Sequence, residues 1–355
     1  MSLAGRNILS KHITAIASYG RRAGSSRVRL YDWIDFNNLK ASEEVYINAS
    51  SNSFRKLLSN PRRVLAAEMS LREIANSHKN GNLIISRRAT PFSNGALESK
   101  LLSSATRGVY DFDDSLSAVQ QVGVQRLWSL SKTWKRAVAT ADIVIAGNDY
   151  LAEEAGKFND EVVIIPSCVN PNEYRAKTSY ESVFPRAVWI GSPSTESYLS
   201  LVAEPLLRLH SKIGLRLTVI SSGDTALGGL EPMVDRIEWS PDNYKDELAK
   251  ADIGIMPLVD NKWARGKCAY KLLQYGAAGL PMIGSPVGSN QTVLGRSRNL
   301  ISNSADDWFD QLDDFFNQPD SYREALGGRA RELVQNEYSF QAWQQTWMKA
   351  VGLEV

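Results

Sequence analysis

The chain has 355 residues, 43% of them hydrophobic and 23% charged, with 41 Lys or Arg against 39 Asp or Glu. Such a composition is ordinary for a soluble globular protein and excludes a disordered or fibrous chain. The length exceeds what one core usually supports, so two domains are expected, and a net charge of +2 gives no global case for a nucleic-acid partner.

Two cysteines, Cys168 and Cys268, lie far apart without metal-type spacing, which fits reduced thiols in a cytosolic protein. The opening residues, MSLAGRNILSKH, lack the long apolar core of a secretory signal, and no apolar run approaches the ~20 residues of a membrane span. A cytoplasmic location is expected. Residues 1–65 hold eleven Lys or Arg and four Asp or Glu. A peripheral contact with the inner face of an anionic membrane is one expectation from this excess; plain solvated charge is the other.

In chain order, HITAIAS (12–18) has the character of a buried strand. The turn YGRRAGSS follows, then a helical stretch SRVRLYDWIDFNNLK. EVYINAS (44–50), NLIISR (82–87), GVYDFDD (108–114), DIVIAGN (142–148) and VVIIPS (162–167) are further short strands, with amphipathic stretches such as VQRLWSLSKTWKRAVATA between them. CVNPNEYRAKTSYESVFPR (168–186) is polar, contains two prolines and has no clear period, so it is assigned as the interdomain linker. Alternation then resumes with strands AVWIGS (187–192), RLTVISS (216–222), RIEWS (236–240), DIGIMPL (252–258) and PMIGS (281–285). Helices TESYLSLVAEPLLRLHSK and NYKDELAKA separate them, and two helices end the chain. Short apolar strands alternating with helices predict an α/β protein of two Rossmann-like, doubly wound domains facing a central cleft. Their expected limits are 1–170 and 171–335, with a helix in 336–355 packing back towards the first domain. Ligands of such sheets bind beyond the carboxyl ends of the strands.

Several segments there have chemical potential. In SYGRRAGSSRVR, Gly20 and Gly24 would let a substrate approach the backbone. Arg21, Arg22, Arg27 and Arg29 would offer charge to a donor phosphate or an anionic acceptor. The glycine spacing is no dinucleotide fingerprint, and a plain surface turn is the alternative. In YDFDD, alternation puts Asp111 and Asp113 on one face, where they would orient hydroxyls or act as a base. A metal at this Asp-x-Asp, or a helix cap at Asp114 or Ser115, competes with that reading. In WIGSPSTES, Gly191 and Ser192 close a strand and lead into a helix whose free N–H groups suit a phosphate; an ordinary cap at Thr195 is the alternative. Trp239 ends a strand, either beside a nucleotide base or in the core. His12, His78 and His210 are scattered and are expected to be structural.

WARGKCAYKLLQYGAAGLPMIGSPVGS (263–289) collects Arg265, Lys267 and Lys271 at a helix start, with Lys267 and Lys271 four apart on one face. Cations there oppose the helix dipole by roughly 0.3–1 kcal/mol each unless an anion joins them. A phosphate would resolve the conflict, with Gly266 allowing close approach; snorkelling surface cations are the alternative.

This segment, with DIGIMPL before it, resembles the donor-site motif of the retaining glycosyltransferases of family four, which have the GT-B fold. RIEWSPDNYKDELAKA, ASYGRRAGSSRVR, RGVYDFDDSLS, ATADIVIAGNDYLAEEA and VVIIPSCVNPNEY resemble the family's other segments in collinear order. The resemblance implies an enzyme of glycan biosynthesis. It would move a sugar from a nucleotide-diphosphate sugar to a hydroxyl of a glycan, lipid-linked or small-molecule acceptor. Anomeric configuration would be retained, with no cofactor and no obligatory metal. Alignment on Gly279-Leu280-Pro281 puts two acids common in the family at Gly266 and Gln274. Gly266 would then meet the sugar through its backbone, and the Gln274 amide would meet the ribose. The Arg and Lys that many members carry after the first strand of this domain are absent from WIGSPSTESY. Arg265, Lys267 and Lys271 are therefore expected to hold the diphosphate. The expected site comprises Asp111, Asp113, Arg265 and Lys267 as catalytic residues and Gly191, Ser192, Trp239, Gly266, Lys271 and Gln274 as donor contacts. Gly20, Arg21, Gly24 and Arg27 would form an acceptor or phosphate loop. A nucleotide-sugar epimerase of the same architecture, or a non-catalytic nucleotide- or sugar-binding protein, is the alternative; the missing acids favour the latter.

Overall fold

A computed structural model describes residues 12–21, 23–47, 54–77, 81–119, 123–182, 184–241 and 243–353, with the backbone alone at 54, 55 and 123–125. Among the described residues twelve parallel strands form two sheets. In the first, β1 (His12–Ala17), β2 (Lys40–Val45), β3 (Asn82–Ser86), β4 (Arg107–Phe112), β5 (Ile143–Ala146) and β6 (Val162–Ile164) lie in the order β2-β1-β3-β4-β5-β6. In the second, β7 (Arg186–Ile190), β8 (Arg216–Ser221), β9 (Val234–Glu238), β10 (Ile253–Met256), β11 (Met282–Gly284) and β12 (Leu300–Ile301) lie in the order β12-β11-β10-β7-β8-β9. The chain divides into a unit of Met1–Ser167 with Trp343–Val355 and a unit of Cys168–Ala342.

The central strands are continuous apolar runs because helices cover both faces of each sheet. Along β7, Val188 and Ile190 enter a core with Leu272, Tyr275 and Val334. Ala187 and Trp189 enter the opposite core with Leu206, Trp308 and Phe315. Each sheet reverses its order once, between β1 and β3 and between β7 and β10. Those two switch points are where the loops after the strands part and leave room for a ligand.

Several expectations shift. The second strand lies at Lys40–Val45 rather than 44–50, as a largely exposed polar edge that no apolar pattern marks; residues 48–50, Arg22 and His78 lie outside the described residues. The helix expected over 26–40 ends at Phe36, before Asn37 and a left-handed Asn38 (φ 49°). The helix expected from Thr195 begins as a 3-10 turn, Pro193–Val202, and becomes regular at Ala203–Ile213. The segment 168–186 packs within the second unit instead of running loose. Val169 exchanges backbone hydrogen bonds with the 338–340 segment, and the Tyr180 hydroxyl donates to Gly279 O (2.7 Å). The Lys177 ammonium donates to Ala251 O (2.8 Å). Its polarity serves backbone carbonyls. Helix Phe340–Ala350 crosses the unit boundary, and in the first unit Trp347 stacks on Trp33 at 5.3 Å and 2°.

Candidate functional site

The second sheet's switch point is built around Tyr275. Its hydroxyl donates to Ile255 O (3.1 Å) and accepts from Ile190 N–H (3.2 Å), so it bridges β10 and β7 where they separate. Gly254 makes room for the ring: a Cβ there would lie 2.4 Å from it. One residue past β7, a Cβ at Gly191 would lie 2.5 Å from Trp189 Cη2 and 2.9 Å from Lys271 Cε. The Lys271 ammonium stands 5.3 Å from the centre of the Trp189 ring. Lys271 therefore runs directly past the end of β7, and only glycine fits beside it. A side chain at Gly288 (φ 54°) would strike the Arg265 backbone, its Cβ 2.6 Å from Arg265 O. The loop after β11 thus closes against the segment after β10.

The cations are arranged differently from the expectation. Arg265 ends a separate short helix, Lys262–Arg265, and Lys267 lies in the non-helical link before helix Tyr270–Ala277. Lys267 and Lys271 therefore share no helical face. The break is set by Ala269, a left-handed non-glycine residue at φ 52° that costs of order 1–2 kcal/mol. Arg265 makes a two-pronged ion pair with Asp260 (2.6 and 2.8 Å), whose carboxyl those bonds hold below its ordinary range. Lys267 stands 5.3 Å from the Trp263 ring centre. Gly266 is buried with φ −75°, a conformation open to any residue. Helix Tyr270–Ala277 has no side-chain cap and no acid in its first turn, and Lys271 is its second residue. The start of the helix thus carries a lysine and no acid, in the region where the helix dipole favours negative charge.

Gln274 is 4% exposed, and the Tyr174 hydroxyl lies 3.1 Å from the Tyr244 hydroxyl. Trp239 stacks on Tyr244 at 5.8 Å and 22°. Of the residues expected to touch the donor, Trp239 is thus partly buried in an aromatic cluster and Gln274 is buried. Ser192 caps the Pro193 turn by position without a side-chain cap bond, and its hydroxyl lies 3.1 Å from that of Ser194. Behind it, buried Glu196 pairs with Arg236 (3.3 Å), which also donates to Gly223 O (3.1 Å) and so ties the loop after β8 to this end.

At the first sheet's switch point the acids divide. Asp111 is buried and takes both prongs of Arg29 (2.7 and 3.2 Å); Arg29 also donates to Ile165 O (2.8 Å). Burial pushes the Asp111 carboxyl up and Arg29 opposes it. A carboxylate 1% exposed, with both oxygens engaged by Arg29, is placed to hold the unit together. Asp113 and Asp114 leave the strand and meet Arg87 at 3.7 and 2.9 Å. Arg87 follows β3 with a left-handed φ of 64° and also donates to the Ser25 hydroxyl (2.7 Å). Burial, then the neighbouring Asp114 charge, lift Asp113 to about 6, against the pull of Arg87. The nearby buried hydroxyls of Ser86 and Ser115 have no hydrogen-bond partner among the described residues.

The glycine loop is less available than expected. Arg21 is bracketed by Asp35 (2.6 Å) and Glu43 (2.5 Å) and lies over the Tyr31 ring, which quenches its charge. Arg27 faces Asp32 at 3.8 Å. Gly20 accepts the Ala23 N–H in a turn, and a Cβ at Gly24 would meet nothing within 4 Å, so Gly24 lies in open space. His12 contacts Ser42 and His210 contacts Leu215 O, both local roles. Sequence reasoning missed Arg87, Ser25 and Tyr275. The position of Arg87 at the end of NLIISR was the one signal for it.

Residues 185–318 match the family model described as Glycosyl transferases group 1. No match is found among curated proteins. Among solved structures, sucrose-phosphate synthase from Thermosynechococcus elongatus is similar, with 13% identity, 97% of this chain and 100% of that chain covered, and a TM-score of 0.69. HepE of Anabaena, in complex with UDP and glucose, gives 13% identity, 97% and 99% coverage and a TM-score of 0.70. WaaG, a glycosyltransferase involved in lipopolysaccharide biosynthesis, gives 14% identity, 96% and 100% coverage and a TM-score of 0.66. Identities this low establish a shared fold. The chain has the GT-B fold, and within it residues 185–318 are similar to the group 1 glycosyltransferase model.

Proposed function

We propose that the protein transfers a sugar from a nucleotide-diphosphate sugar to an acceptor hydroxyl with retention of anomeric configuration. The observation that carries this reading is the uncapped, acid-free start of helix Tyr270–Ala277, with Lys271 laid against Gly191 at the end of β7. The donor diphosphate sits at that end. As the glycosidic bond breaks, charge grows on the leaving phosphate. Lys271, Lys267 and the first helix N–H groups stabilise it without a metal or cofactor. Arg265 is half spent on Asp260 and serves more to shape the loop. Asp113, near neutrality and held by Arg87, orients or deprotonates the acceptor hydroxyl. HepE has been crystallised with UDP and with UDP-glucose, so uridine nucleotides are the first probes.

A second reading has its own support: Gln274 is buried, and a glycine stands at 266, where the family resemblance implies an acid, as in a protein that binds nucleotide sugars without turning them over. Proton NMR of UDP-sugars with an acceptor panel separates the readings. Transfer with the donor's anomeric configuration supports the proposal. Donor binding without product supports the second reading, and donor isomerisation without acceptor points to an epimerase.

A further inference from the structure

Helices Ala96–Ser104 and Leu130–Thr140 lie side by side in the first unit, where the Thr140 hydroxyl donates to that of Ser99 (3.1 Å). Their exposed charges have one sign. Lys100, Lys132, Lys135 and Arg136 are exposed, while Glu98, the one acid on either helix, is buried against the Ala89 N–H and the Ser93 hydroxyl. Residues 115–141 contain no Asp or Glu. Three of the cations have neutral neighbours. Lys100 donates to Asn76, Lys135 stands 4.5 Å from the Phe158 ring centre, and Arg136 donates to Asn94 Oδ1 (2.9 Å). Acids return at Asp142, which accepts the Gly108 N–H (2.7 Å), and on helix Asp149–Gly156, where Glu154 pairs with Lys157. Lys132 with Lys135 and Arg136, three and four residues on, is a repulsive arrangement that an anion would relieve.

This patch is continuous with the first switch point. The loop after β3 starts at Arg87, which holds Asp113 and Asp114, and by Gly95 it has reached the first turns of helix Leu130–Thr140. There the Thr133 hydroxyl donates to Ser93 O (3.1 Å), and Gly95 (φ 99°) excludes a side chain, whose Cβ would lie 2.8 Å from Arg136 Cβ. Between the two ends Phe92 and Trp128 meet edge to face at 5.3 Å and 72°, both half-buried, with exposed Leu127 beside them. Such rings offer apolar surface to the C–H side of a sugar. Carboxylates, aromatic rings and cations thus follow one another along one loop. We propose that an acidic oligosaccharide acceptor lies along it. Its reacting hydroxyl meets Asp113, a sugar ring meets Phe92 and Trp128, and negative groups further along the chain meet Lys132, Lys135 and Arg136. The inference rests on the transferase reading and names the acceptor class for it. Nucleic acid is a poorer occupant, because bases stack on open aromatic faces, whereas these two rings pack against each other.

The test is titration calorimetry of the full chain, without nucleotide, with a galacturonate hexamer and with the same hexamer methyl-esterified. The acid should bind about tenfold or more tightly than its ester, and the difference should shrink as salt rises. Lys132→Glu/Lys135→Glu, both at exposed positions, should weaken binding of the acid about tenfold or more and leave UDP affinity level. Equal binding of acid and ester, binding of neither, or a charge-reversed variant that binds the acid as before overturns the proposal. So does tighter binding of a thymidylate hexamer than of the galacturonate. If the variant loses helical circular dichroism, the comparison of acid with ester at low and high salt decides. A parallel UDP titration separates the two failures. UDP binding without galacturonate binding removes the acceptor assignment alone, whereas loss of both removes the transferase reading with it.

Discussion

Asp111 and Asp113 are two residues apart, yet their environments give them opposite tasks. Asp111 is wholly occupied by buried Arg29. Its replacement by Ala leaves a guanidinium buried without its partner, an effect of about 3–5 kcal/mol. Urea denaturation should show a loss of that size, and a loss under 1 kcal/mol would contradict the pairing. Asp113 is lifted to about 6. A carboxyl whose folded value is raised is stabilising while protonated. Its contribution is complete below the ordinary carboxylate value and is lost as pH rises through about 6. Asp113→Asn should therefore remove a decline in stability between about pH 4 and 6. It should also abolish an acid limb of kcat/KM near pH 6, together with most of the activity. A variant with full activity and an unchanged pH profile would make Asp113 purely structural.

The strand ends show what a local element contributes. Gly191 belongs to no unusual backbone conformation; its constraint is the space taken by Trp189 and Lys271. Gly191→Ala should cost about 1–3 kcal/mol through overcrowding and displace Lys271, so that thermal unfolding and nucleotide affinity fall together. Unchanged nucleotide affinity would show that the Gly191–Lys271 contact is irrelevant to the site. The central strands were legible in the sequence because burial on both faces turns them into unbroken apolar runs, as in LIIS and VWI. β2 was misplaced because an exposed edge has no such signature. The break before Tyr270 was illegible because alanine gives no warning of a left-handed backbone. Charge was read correctly as charge but not as pairing. Asp260 quenches Arg265 from five residues away, and Asp35 and Glu43 quench Arg21 from two other elements.

At the scale of the molecule, the same doubly wound plan occurs twice, and each sheet reverses order once. The chain uses the two switch points differently. In the first, acids and Arg87 gather around partly unsatisfied buried hydroxyls. In the second, Gly191 leaves room for Lys271, in the first turn of a helix without a side-chain cap. The first suits hydroxyl and proton chemistry, and the second suits an anion. The central claim is that a diphosphate binds at the start of helix Tyr270–Ala277. Titration calorimetry with UDP and with uridine, on the natural chain and on Lys271→Ala, tests it most directly. UDP affinity should fall about 10- to 100-fold in the variant, as expected for a lost charge-assisted bond, while uridine affinity stays level. Equal losses for the two ligands, or none for either, would contradict it.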